Sequence, residues 1–411
     1  MSSKHTVVVG GGVIGACTAY YLAARGGRVT LLELNELCSG SSKGNAGQVT
    51  PGHLPLPQPG TMARNIRWLF KRSSPLYVKP RFDPALFDWL LRFARACNAR
   101  HLRKSTELLC RLGEDAWELF DELADKYDFG YRKKGRLEVC RSEKSLAAVR
   151  KEAALLKSFG FDHEVIDGRD LPGFEPSLTD EVAGAVYYPQ SGDCDPEQLT
   201  IAMCRAAQSL GADVREKAGV ADVSTHNGRV TSVLLDEEEI PADAVVLACG
   251  AWNGRLMRRL GLRMKVQPGK GYHVDLDRPD PCPGYPVVFV QEKIFINPFP
   301  NCLRLAGTME LSGFNLNQIP DRLDALHRGA MRYIPSMNGE KIQSRWCHLR
   351  PMTPDGLPVI GVSPKLDNVW VATGHGMLGI TQAPSTGKLI ADWIFEGKPK
   401  FDVTDLRPNR F

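Results

Sequence analysis

Three glycines near the amino-terminal end have the spacing of a turn that holds a phosphate group. They are Gly10, Gly12 and Gly15 in the run V-V-V-G-G-G-V-I-G, where an apolar, β-branched stretch ends and a helical pattern begins. The first glycine allows a sharp turn, the second lets the backbone approach a pyrophosphate, and the third lets helix and strand pack closely. The helix amino terminus then offers unpaired N–H groups and a partial positive charge to phosphates. We predict a pyrophosphate site here, with Val13 and Ile14 as further contacts.

An acidic residue follows at the distance expected for ribose binding. Glu33 lies eighteen residues after Gly15, at the end of a second apolar run. A carboxylate in that place can bind both ribose hydroxyls of a dinucleotide, which disfavours a 2′-phosphate. Strand, glycines, helix, strand and acid in this order predict one βαβ unit of a dinucleotide-binding sheet. The alternative interpretation is a flexible glycine turn without a ligand.

Two distant segments have the pattern of further strands of the same sheet. The run A-V-V-L-A-C-G-A-W over Ala244–Trp252 indicates a buried strand that ends in a glycine turn. Near the carboxyl end, Asn368–Thr373 is a strand pattern, and a helix to Phe395 follows with Gly397 as its C-cap. We therefore predict one nucleotide-binding domain made of residues 1–60, 193–262 and 346–411.

The remaining residues predict a second, discontinuous α+β domain over 61–192 and 263–345. The first part has mainly helical patterns, with strand patterns near Gly135–Cys140 and Ala183–Tyr188. The second part has alternating apolar runs that favour an antiparallel sheet. These runs are Tyr272–Leu276, Val287–Val290, Ile294–Pro298 and Leu303–Gly307.

Composition limits the class of protein. A chain of 411 residues with 43% hydrophobic residues can bury a large core, and no apolar run approaches the ~18 residues that a membrane span needs. The fold signals start at Thr6, so we expect a cytoplasmic protein without an export signal. The eleven cysteines include no C-x-x-C pair, which favours reduced thiols over disulfides or a zinc site. We expect no metal.

Basic residues concentrate in segment 61–104. This segment holds eleven Lys or Arg against only Asp83 and Asp88, interleaved with aromatic residues, and Asp83–Arg103 has helical spacing with Pro84 near the first turn. One interpretation is peripheral contact with an anionic membrane surface or a quinone pool. The other is a solvated helix that packs on its own domain. No nucleic-acid-reading motif accompanies the charge, so we expect no nucleic-acid partner.

Several motifs along the whole chain carry a family resemblance. They are G-G-G-V-I-G near the start, N-A-G-Q-V-T-P-G (Asn45–Gly52), G-D-C-D-P (Gly192–Pro196), K-G-Y (Lys270–Tyr272), L-R-P-M-T-P-D-G-L-P-V-I-G (Leu349–Gly361) and T-G-H-G-M-L-G (Thr373–Gly379). With these motifs the chain resembles the FAD-dependent amino-acid oxidase superfamily, and within it the bacterial D-amino-acid dehydrogenases. Two positions depart from the D-alanine type. His53 replaces an aromatic residue and His348 replaces a small one, which leaves the substrate side chain open.

The resemblance implies a fold, a cofactor and a reaction. The fold class is α/β, with a Rossmann-like FAD-binding domain and an α+β substrate domain built on an antiparallel sheet above the flavin. The reaction is oxidation of an α-amino acid by hydride transfer to FAD. The imino acid that results is hydrolysed by water to a 2-oxo acid and ammonia.

The resemblance also implies the substrate residues. Arg350 lies in the Leu-Arg-Pro setting in which the superfamily carries its carboxylate-binding arginine, and Arg gives a bidentate, permanently charged grip. A structural ion pair is the alternative for this residue. Tyr272, His53 and His348 are candidates for binding or orienting the substrate, with a purely structural role as the alternative. This chemistry does not require a catalytic base.

The expected FAD contacts form three groups beyond the glycine turn. The first group is the loop after Glu33, and the second lies in segment 193–262. The third is the turn into the last long helix, whose N–H groups would stabilise negative charge on the flavin. The predicted residues are Ser41, Ser42, Asn45, Ala46, Gly47, Gln48, Val220, Gly250, Trp252, Gly374, His375, Gly376, Met377, Leu378, Gly379 and Ile380.

Three functions remain open at this stage. The leading hypothesis is a D-amino-acid dehydrogenase that passes electrons to a respiratory acceptor such as a quinone or a partner flavoprotein. A close variant prefers D-proline or hydroxy-D-proline, where a histidine binds the ring hydroxyl. A second class is a glycine- or sarcosine-type oxidase that uses O₂, and a third is a flavin-bearing docking subunit without activity.

Overall fold

A computed structural model describes residues 4–65, 74–262 and 264–411. Its strands, in chain order, are β1 (His5–Val9), β2 (Arg28–Leu32), β3 (Gln48–Val49), β4 (Leu76–Val78), β5 (Arg136–Cys140), β6 (Glu164–Asp167), β7 (Gly184–Tyr188), β8 (Gly192–Asp193), β9 (Asp213–Arg215), β10 (Asp222–His226), β11 (Arg229–Leu234), β12 (Glu239–Pro241), β13 (Ala244–Leu247), β14 (Gln267–Leu276), β15 (Val287–Phe289), β16 (Ile294–Pro298), β17 (Leu303–Leu311), β18 (Ile342–Met352), β19 (Val359–Val362) and β20 (Val369–Thr373).

Its α-helices, in chain order, are α1 (Val13–Ala24), α2 (Thr61–Asn65), α3 (Pro84–Ala96), α4 (Ala99–Leu112), α5 (Ala116–Ala124), α6 (Glu143–Lys157), α7 (Leu171–Phe174), α8 (Pro196–Ser209), α9 (Gly254–Arg259), α10 (Pro320–Ala330) and α11 (Gly379–Glu396).

The predicted nucleotide-binding segments meet in one sheet of order β19-β20-β13-β1-β2-β9. Strands β1, β2, β9, β13 and β20 pair in parallel, while β19 pairs with β20 antiparallel. Helix α1 connects β1 to β2, which is the βαβ unit expected from the glycine spacing. Helices α1, α8 and α11 bury an apolar core on this sheet that includes Leu22, Leu31 and Ile390. The Rossmann-like part of the fold is thereby confirmed.

A second sheet of nine strands forms a roof over the first. Its order is β18-β14-β17-β16-β15-β5-β7-β6, and β4 pairs with β17. The pairings are antiparallel except β15 with β5 and β17 with β4. All four apolar runs expected in the second domain are strands of this sheet. Helix α10 packs on its outer face through Leu323 and Leu326.

A bulge interrupts the pairing of β14 with β17. Tyr272 pairs with Gly307 and Lys270 pairs with Glu310, so Gly271 alone faces two residues, Thr308 and Met309. Thr308 has φ 59°, which is uncommon for a β-branched residue. Bulges bend a strand and re-aim its groups, and they are frequent beside active sites.

The stretch Asp83–Arg103, predicted with helical spacing throughout, is two helices. Asp83 caps α3 because its carboxylate accepts from the Leu86 N–H at 3.0 Å, and Pro84 is the first helical residue, as expected. The chain breaks at Cys97–Asn98, where the Asn98 side chain accepts from the His101 N–H at 2.9 Å and caps α4. The first helix therefore ends at Ala96, and Asn98 caps a second helix. The helical spacing of the apolar residues did not show this break.

The predicted domain boundaries stay a prediction. Strand β18 runs across the proposed boundary between 345 and 346 as one continuous element of the roof. All eleven cysteines are free thiols. Among the described residues, no helix is long and apolar enough to cross a membrane, and no cluster of His, Cys, Asp or Glu has the form of a metal site.

Candidate active site

A cavity of about 1390 Å³ lies between the ends of the parallel strands and the inner face of the roof. Most of the residues predicted for the cofactor line it. They are Gly10, Gly12, Val13, Ile14, Glu33, Ser41, Ser42, Asn45, Ala46, Gln48, Val220, Gly250, Trp252, His375, Gly376, Met377, Leu378, Gly379 and Ile380. His53, His348 and Arg350 line the same cavity. One space therefore holds the phosphate turn and the predicted carboxylate-binding arginine.

The glycine turn has the close packing that its spacing predicted. A Cβ atom on Gly15 would lie 1.8 Å from the Gly10 carbonyl oxygen, so only glycine lets α1 approach the end of β1 this closely. The Val13 N–H, at the start of α1, donates to the Ser42 hydroxyl at 3.0 Å. This bond brings the loop after β2 to the helix amino terminus, where a phosphate is favoured by the N–H groups and the helix dipole.

Glu33 lies at the end of β2 and lines the cavity. One of its oxygens accepts from the Gly11 N–H at 2.7 Å and the other from the Asn35 N–H at 2.9 Å. These bonds fix the carboxylate, and each oxygen keeps a lone pair for another donor. A ribose with two hydroxyls supplies such donors, so the residue fits the predicted role.

The loop that follows β2 is held against the roof. Arg304 of β17 donates to the carbonyl oxygens of Lys43 at 3.1 Å and Asn45 at 3.0 Å. Asn297 of β16 donates to the Ala46 carbonyl at 2.7 Å. The buried Gln48 Nε2 has no hydrogen-bond partner among the described residues, although Gln48 lines the cavity. A buried donor without a partner is costly, and the polar edge of a flavin would satisfy it.

The amino terminus of α11 closes the cavity from the other side. The N–H groups of its first turn, which include Gly379 and Ile380, have no partner within the helix. The buried His375 ring contacts α11, where its Nε2 lies 3.1 Å from the Thr386 hydroxyl. Burial lowers the pKa of His375 to about 3, so the ring is neutral. The backbone of His375, rather than its imidazole, is therefore the part that can bind a ligand.

Four of the predicted residues lie outside the cavity wall described by the structure: Gly15, Gly47, Gly374 and Tyr272. The three glycines shape the backbone behind the wall. Tyr272 points to the outer side of the roof, where its hydroxyl donates to Glu310 at 2.6 Å and its ring lies between Lys270 and Arg322. The structure thus separates Tyr272 from the other three predicted substrate residues.

Arg350 sits on β18 with its guanidinium over the Gly271 backbone. A Cβ atom on residue 271 would lie 2.2 Å from the arginine Cζ. Its Nη1 donates to the Thr308 carbonyl at 2.8 Å, and no carboxylate of the described residues pairs with it. Burial, and then repulsion by Arg322, lower the pKa of Arg350 to about 10, which leaves it charged at neutral pH. A cation in a cavity without an anionic partner is suited to bind a carboxylate.

The two histidines of the wall that were predicted for the substrate, His53 and His348, are neutral. Burial lowers the pKa of His348 to about 4, and burial followed by the charge of Arg136 lowers the pKa of His53 to about 4. The His53 Nδ1 lies 2.5 Å from the Leu54 carbonyl. The buried His348 Nδ1 has no hydrogen-bond partner in the described part of the chain. Both rings can therefore exchange hydrogen bonds with a ligand without adding charge.

Several residues of the wall were missed by the sequence interpretation, among them Trp346 and Arg136. Trp346 stacks between His273 and His348, with ring centroids 5.2 and 5.4 Å apart. The alternation Trp346, His348, Arg350 on one strand face was a usable signal. Arg136 is 4% exposed on β5, and the alternation Arg136, Glu138 in a buried strand was the corresponding signal.

Comparison with known proteins shows which family the chain belongs to. The family model for FAD dependent oxidoreductase matches residues 5–393. Curated relatives named D-amino acid dehydrogenase are 32% identical in Bradyrhizobium diazoefficiens, over 98% of both chains, and 33% identical in Methylobacterium radiotolerans, over 99% of both.

Solved structures show the same fold over the whole chain. Glycine oxidase from Geobacillus kaustophilus has a TM-score of 0.80 at 26% identity and covers 100% of both chains. L-proline dehydrogenase from P. horikoshii has a TM-score of 0.80 at 21% identity and covers 100% of this chain and 98% of its own. The phosphate turn, the acid on β2 and the match over nearly the whole chain lead to one conclusion: the protein belongs to the family of FAD-dependent oxidoreductases.

Proposed function

We propose that this oxidoreductase oxidises a D-α-amino acid to its imino acid, which water hydrolyses to a 2-oxo acid and ammonia. The observation that carries the proposal is the position of Arg350, a cation with no carboxylate partner among the described residues, in the cavity that also holds the phosphate turn. The two relatives named D-amino acid dehydrogenase support the choice of the D-series.

The chain's own residues bind and orient the substrate in this proposal. Arg350 holds the α-carboxylate, which fixes the α-carbon relative to the roof. His53 and His348 stay neutral and do not repel the substrate ammonium group. The N–H groups at the start of α11 stabilise negative charge that develops in the cavity. FAD, when bound, supplies the acceptor for the hydride that leaves the α-carbon.

We propose that FAD lies in the part of the cavity that is lined by the glycine turn, Glu33, the loop 41–48 and the turn 374–380. The Gln48 Nε2, which has no hydrogen-bond partner among the described residues, and the remaining lone pairs of the Glu33 carboxylate support this assignment. The corresponding domain division is 1–60, 193–262 and 346–411 for FAD, and 61–192 and 263–345 for the substrate. Purified protein should show the two flavin absorption bands, and apoprotein should regain them with FAD but not with NAD. Protein that binds NAD and cannot be reconstituted with FAD would contradict the assignment.

The decisive experiment for the reaction is anaerobic mixing of FAD-loaded protein with enantiomeric pairs of amino acids. We expect D-amino acids to bleach the flavin band and their L-enantiomers to leave it unchanged. Release of one ammonia per flavin reduced checks the hydrolysis step. Bleaching by L-amino acids alone, or by none of the pairs, would refute the proposal.

We propose a respiratory acceptor, a quinone or a partner flavoprotein, for the reoxidation step, with the protein in the cytoplasm and in peripheral contact with the inner membrane face. The alternative is an oxidase of the glycine type, and the likeness to the Geobacillus glycine oxidase supports it. Rates of reoxidation by a soluble quinone and by O₂ separate the two. We expect the quinone to be the faster oxidant, and faster reoxidation by O₂ would favour the oxidase.

A further inference from the structure

We propose that Arg136 and His53 form a subsite for a hydroxyl group on the substrate, so that the preferred substrate is a hydroxylated D-amino acid. This inference rests on the proposed function and names the substrate class for the same cavity. Both residues line that cavity, Arg136 on β5 and His53 in the loop after β3. Neither the glycine turn nor the carboxylate site uses them.

Arg136 offers one unused donor. Its Nη2 pairs with the Glu138 carboxylate at 2.9 Å, and its guanidinium lies 4.8 Å from the centre of the Tyr188 ring. These contacts hold the side chain, which is only 4% exposed. Its Nε is buried and has no hydrogen-bond partner among the described residues. A buried N–H group without such a partner, on a side chain that lines a cavity, can donate to an acceptor of a ligand.

His53 offers an acceptor, its Nε2, to which none of the described residues donates. The Leu54 carbonyl, 2.5 Å from Nδ1, can only accept, so the ring proton of the neutral imidazole lies on Nδ1. The other ring nitrogen, Nε2, then carries a lone pair. Burial and the nearby charge of Arg136 keep the ring in this neutral form at physiological pH, because they lower the pKa of His53 to about 4.

A hydroxyl group matches this donor and acceptor better than other groups do. Its oxygen has lone pairs for the Arg136 Nε–H and its proton suits the His53 Nε2, and the two side chains lie close enough for the charge of Arg136 to lower the pKa of His53. A carboxylate only accepts, so it would face the His53 lone pair, and the charge of Arg136 is already balanced by Glu138. An apolar side chain would leave the Arg136 donor buried and unpaired. Sites built to bond a substrate hydroxyl reject analogues without it strongly for this reason.

The test compares D-amino acids that differ by one hydroxyl. FAD-loaded protein is mixed anaerobically with D-alanine and D-serine, D-2-aminobutyrate and D-threonine, D-phenylalanine and D-tyrosine, and D-proline and 4-hydroxy-D-proline, with D-glutamate as an acidic comparison. The concentration dependence of flavin reduction gives an apparent Kd for each. We expect the tightest ligand to carry a hydroxyl and to bind at least tenfold better than its partner.

Two variants assign that preference to the subsite. Arg136→Lys keeps the charge opposite Glu138 but loses the Nε donor, and His53→Asn keeps a donor near the Leu54 carbonyl but has no acceptor at the position of the imidazole Nε2. Each should reduce the preference for the hydroxylated member to less than threefold. Arg150→Lys, at an exposed arginine of α6, is the matched control and should keep the preference. A wild-type preference for D-glutamate or for the partners without hydroxyl would overturn the inference.

A second readout needs no turnover. Cyclopentanecarboxylate and 3-hydroxycyclopentanecarboxylate carry the carboxylate but no oxidisable amine, and their effect on Tm is measured with FAD-loaded protein. In the wild type, the hydroxylated acid should raise Tm more than cyclopentanecarboxylate does. In Arg136→Lys, the two acids should raise Tm by the same small amount. Equal shifts in the wild type would remove the subsite even if D-amino acids are oxidised. A larger Tm shift with the hydroxylated acid, without oxidation of any D-amino acid, would refute the proposed reaction but support the subsite.

Discussion

The Arg350 guanidinium fills the space that a side chain on residue 271 would occupy. A Cβ atom there would lie 2.2 Å from Cζ and 2.3 Å from both terminal nitrogens. Opposite Gly271, the bulge turns the Thr308 carbonyl toward the arginine, which donates to it at 2.8 Å. Three neighbouring strands, β18, β14 and β17, therefore form a seat for one side chain.

We expect Gly271→Ala to move Arg350 out of this seat and weaken substrate binding. The added methyl cannot fit beside the guanidinium, so the KM for a D-amino acid should rise by about tenfold or more while FAD stays bound, a cost of at least about 1.4 kcal/mol. Gly173→Ala, where a Cβ meets open space, is the control and should leave KM unchanged. An unchanged KM in Gly271→Ala would show that the seat does not position Arg350.

Removal of the arginine itself tests its role directly. Arg350→Ala should keep the flavin spectrum and lower kcat/KM by a factor that corresponds to about 2–5 kcal/mol, the usual cost of truncating one partner of a buried charge pair. Arg345→Ala changes an exposed arginine of the same strand and should have little effect. Equal kcat/KM in the wild type and Arg350→Ala would exclude Arg350 from the substrate site.

The sequence allowed prediction of the parts that depend on local patterns. The turn at Gly10–Gly15, helix α1 and the four runs of the roof follow from spacing and periodicity alone. The register of the roof did not, because it depends on a bulge at Thr308 that leaves no sequence signal. Tyr272 lies away from the other substrate residues because neighbouring residues of a strand point to opposite faces, so Gly271 faces the cavity and Tyr272 faces the other side.

Neutral buried histidines predict a loss of stability in mild acid. Burial is the main cause that lowers the pKa of His53, His273 and His348 to about 4. Between pH 6.5 and 4 the unfolded chain binds protons at these residues and the folded chain does not. The free energy of unfolding therefore falls as pH falls, by up to about 1.4 kcal/mol per pH unit for each histidine.

Urea unfolding at pH 7.5, 6.5 and 5.5 measures this loss above the range in which most carboxylates titrate. We expect the midpoint urea concentration to fall between pH 6.5 and 5.5, and less steeply in His348→Gln. His226→Gln, at an exposed histidine, should keep the wild-type slope. A midpoint that stays constant over this range would show that these rings are not held neutral in the folded state.

The last prediction concerns membrane contact by the basic segment 61–104, of which residues 66–73 lie outside the described residues. In the described part, Phe82 is 97% and Phe87 71% exposed, and Arg95 and Arg100 are exposed nearby in sequence. Exposed phenylalanines and arginines in one segment fit the interface of an anionic bilayer. The alternative, a solvated face of the substrate domain, explains the exposed arginines but not the exposure of the two phenylalanines.

Sedimentation with vesicles that contain anionic lipid separates the two interpretations. Wild-type protein should pellet at 0.1 M salt and stay in the supernatant at 1 M, because the screening length falls from ~10 Å to ~3 Å. Phe82→Ala/Phe87→Ala and Arg95→Gln/Arg100→Gln should each reduce the bound fraction at low salt. The control Leu210→Ala, at an exposed leucine outside the segment, should bind like the wild type. If the wild type and both double variants remain equally in the supernatant at low salt, the segment is a solvated face, and the electron acceptor must reach the protein from solution.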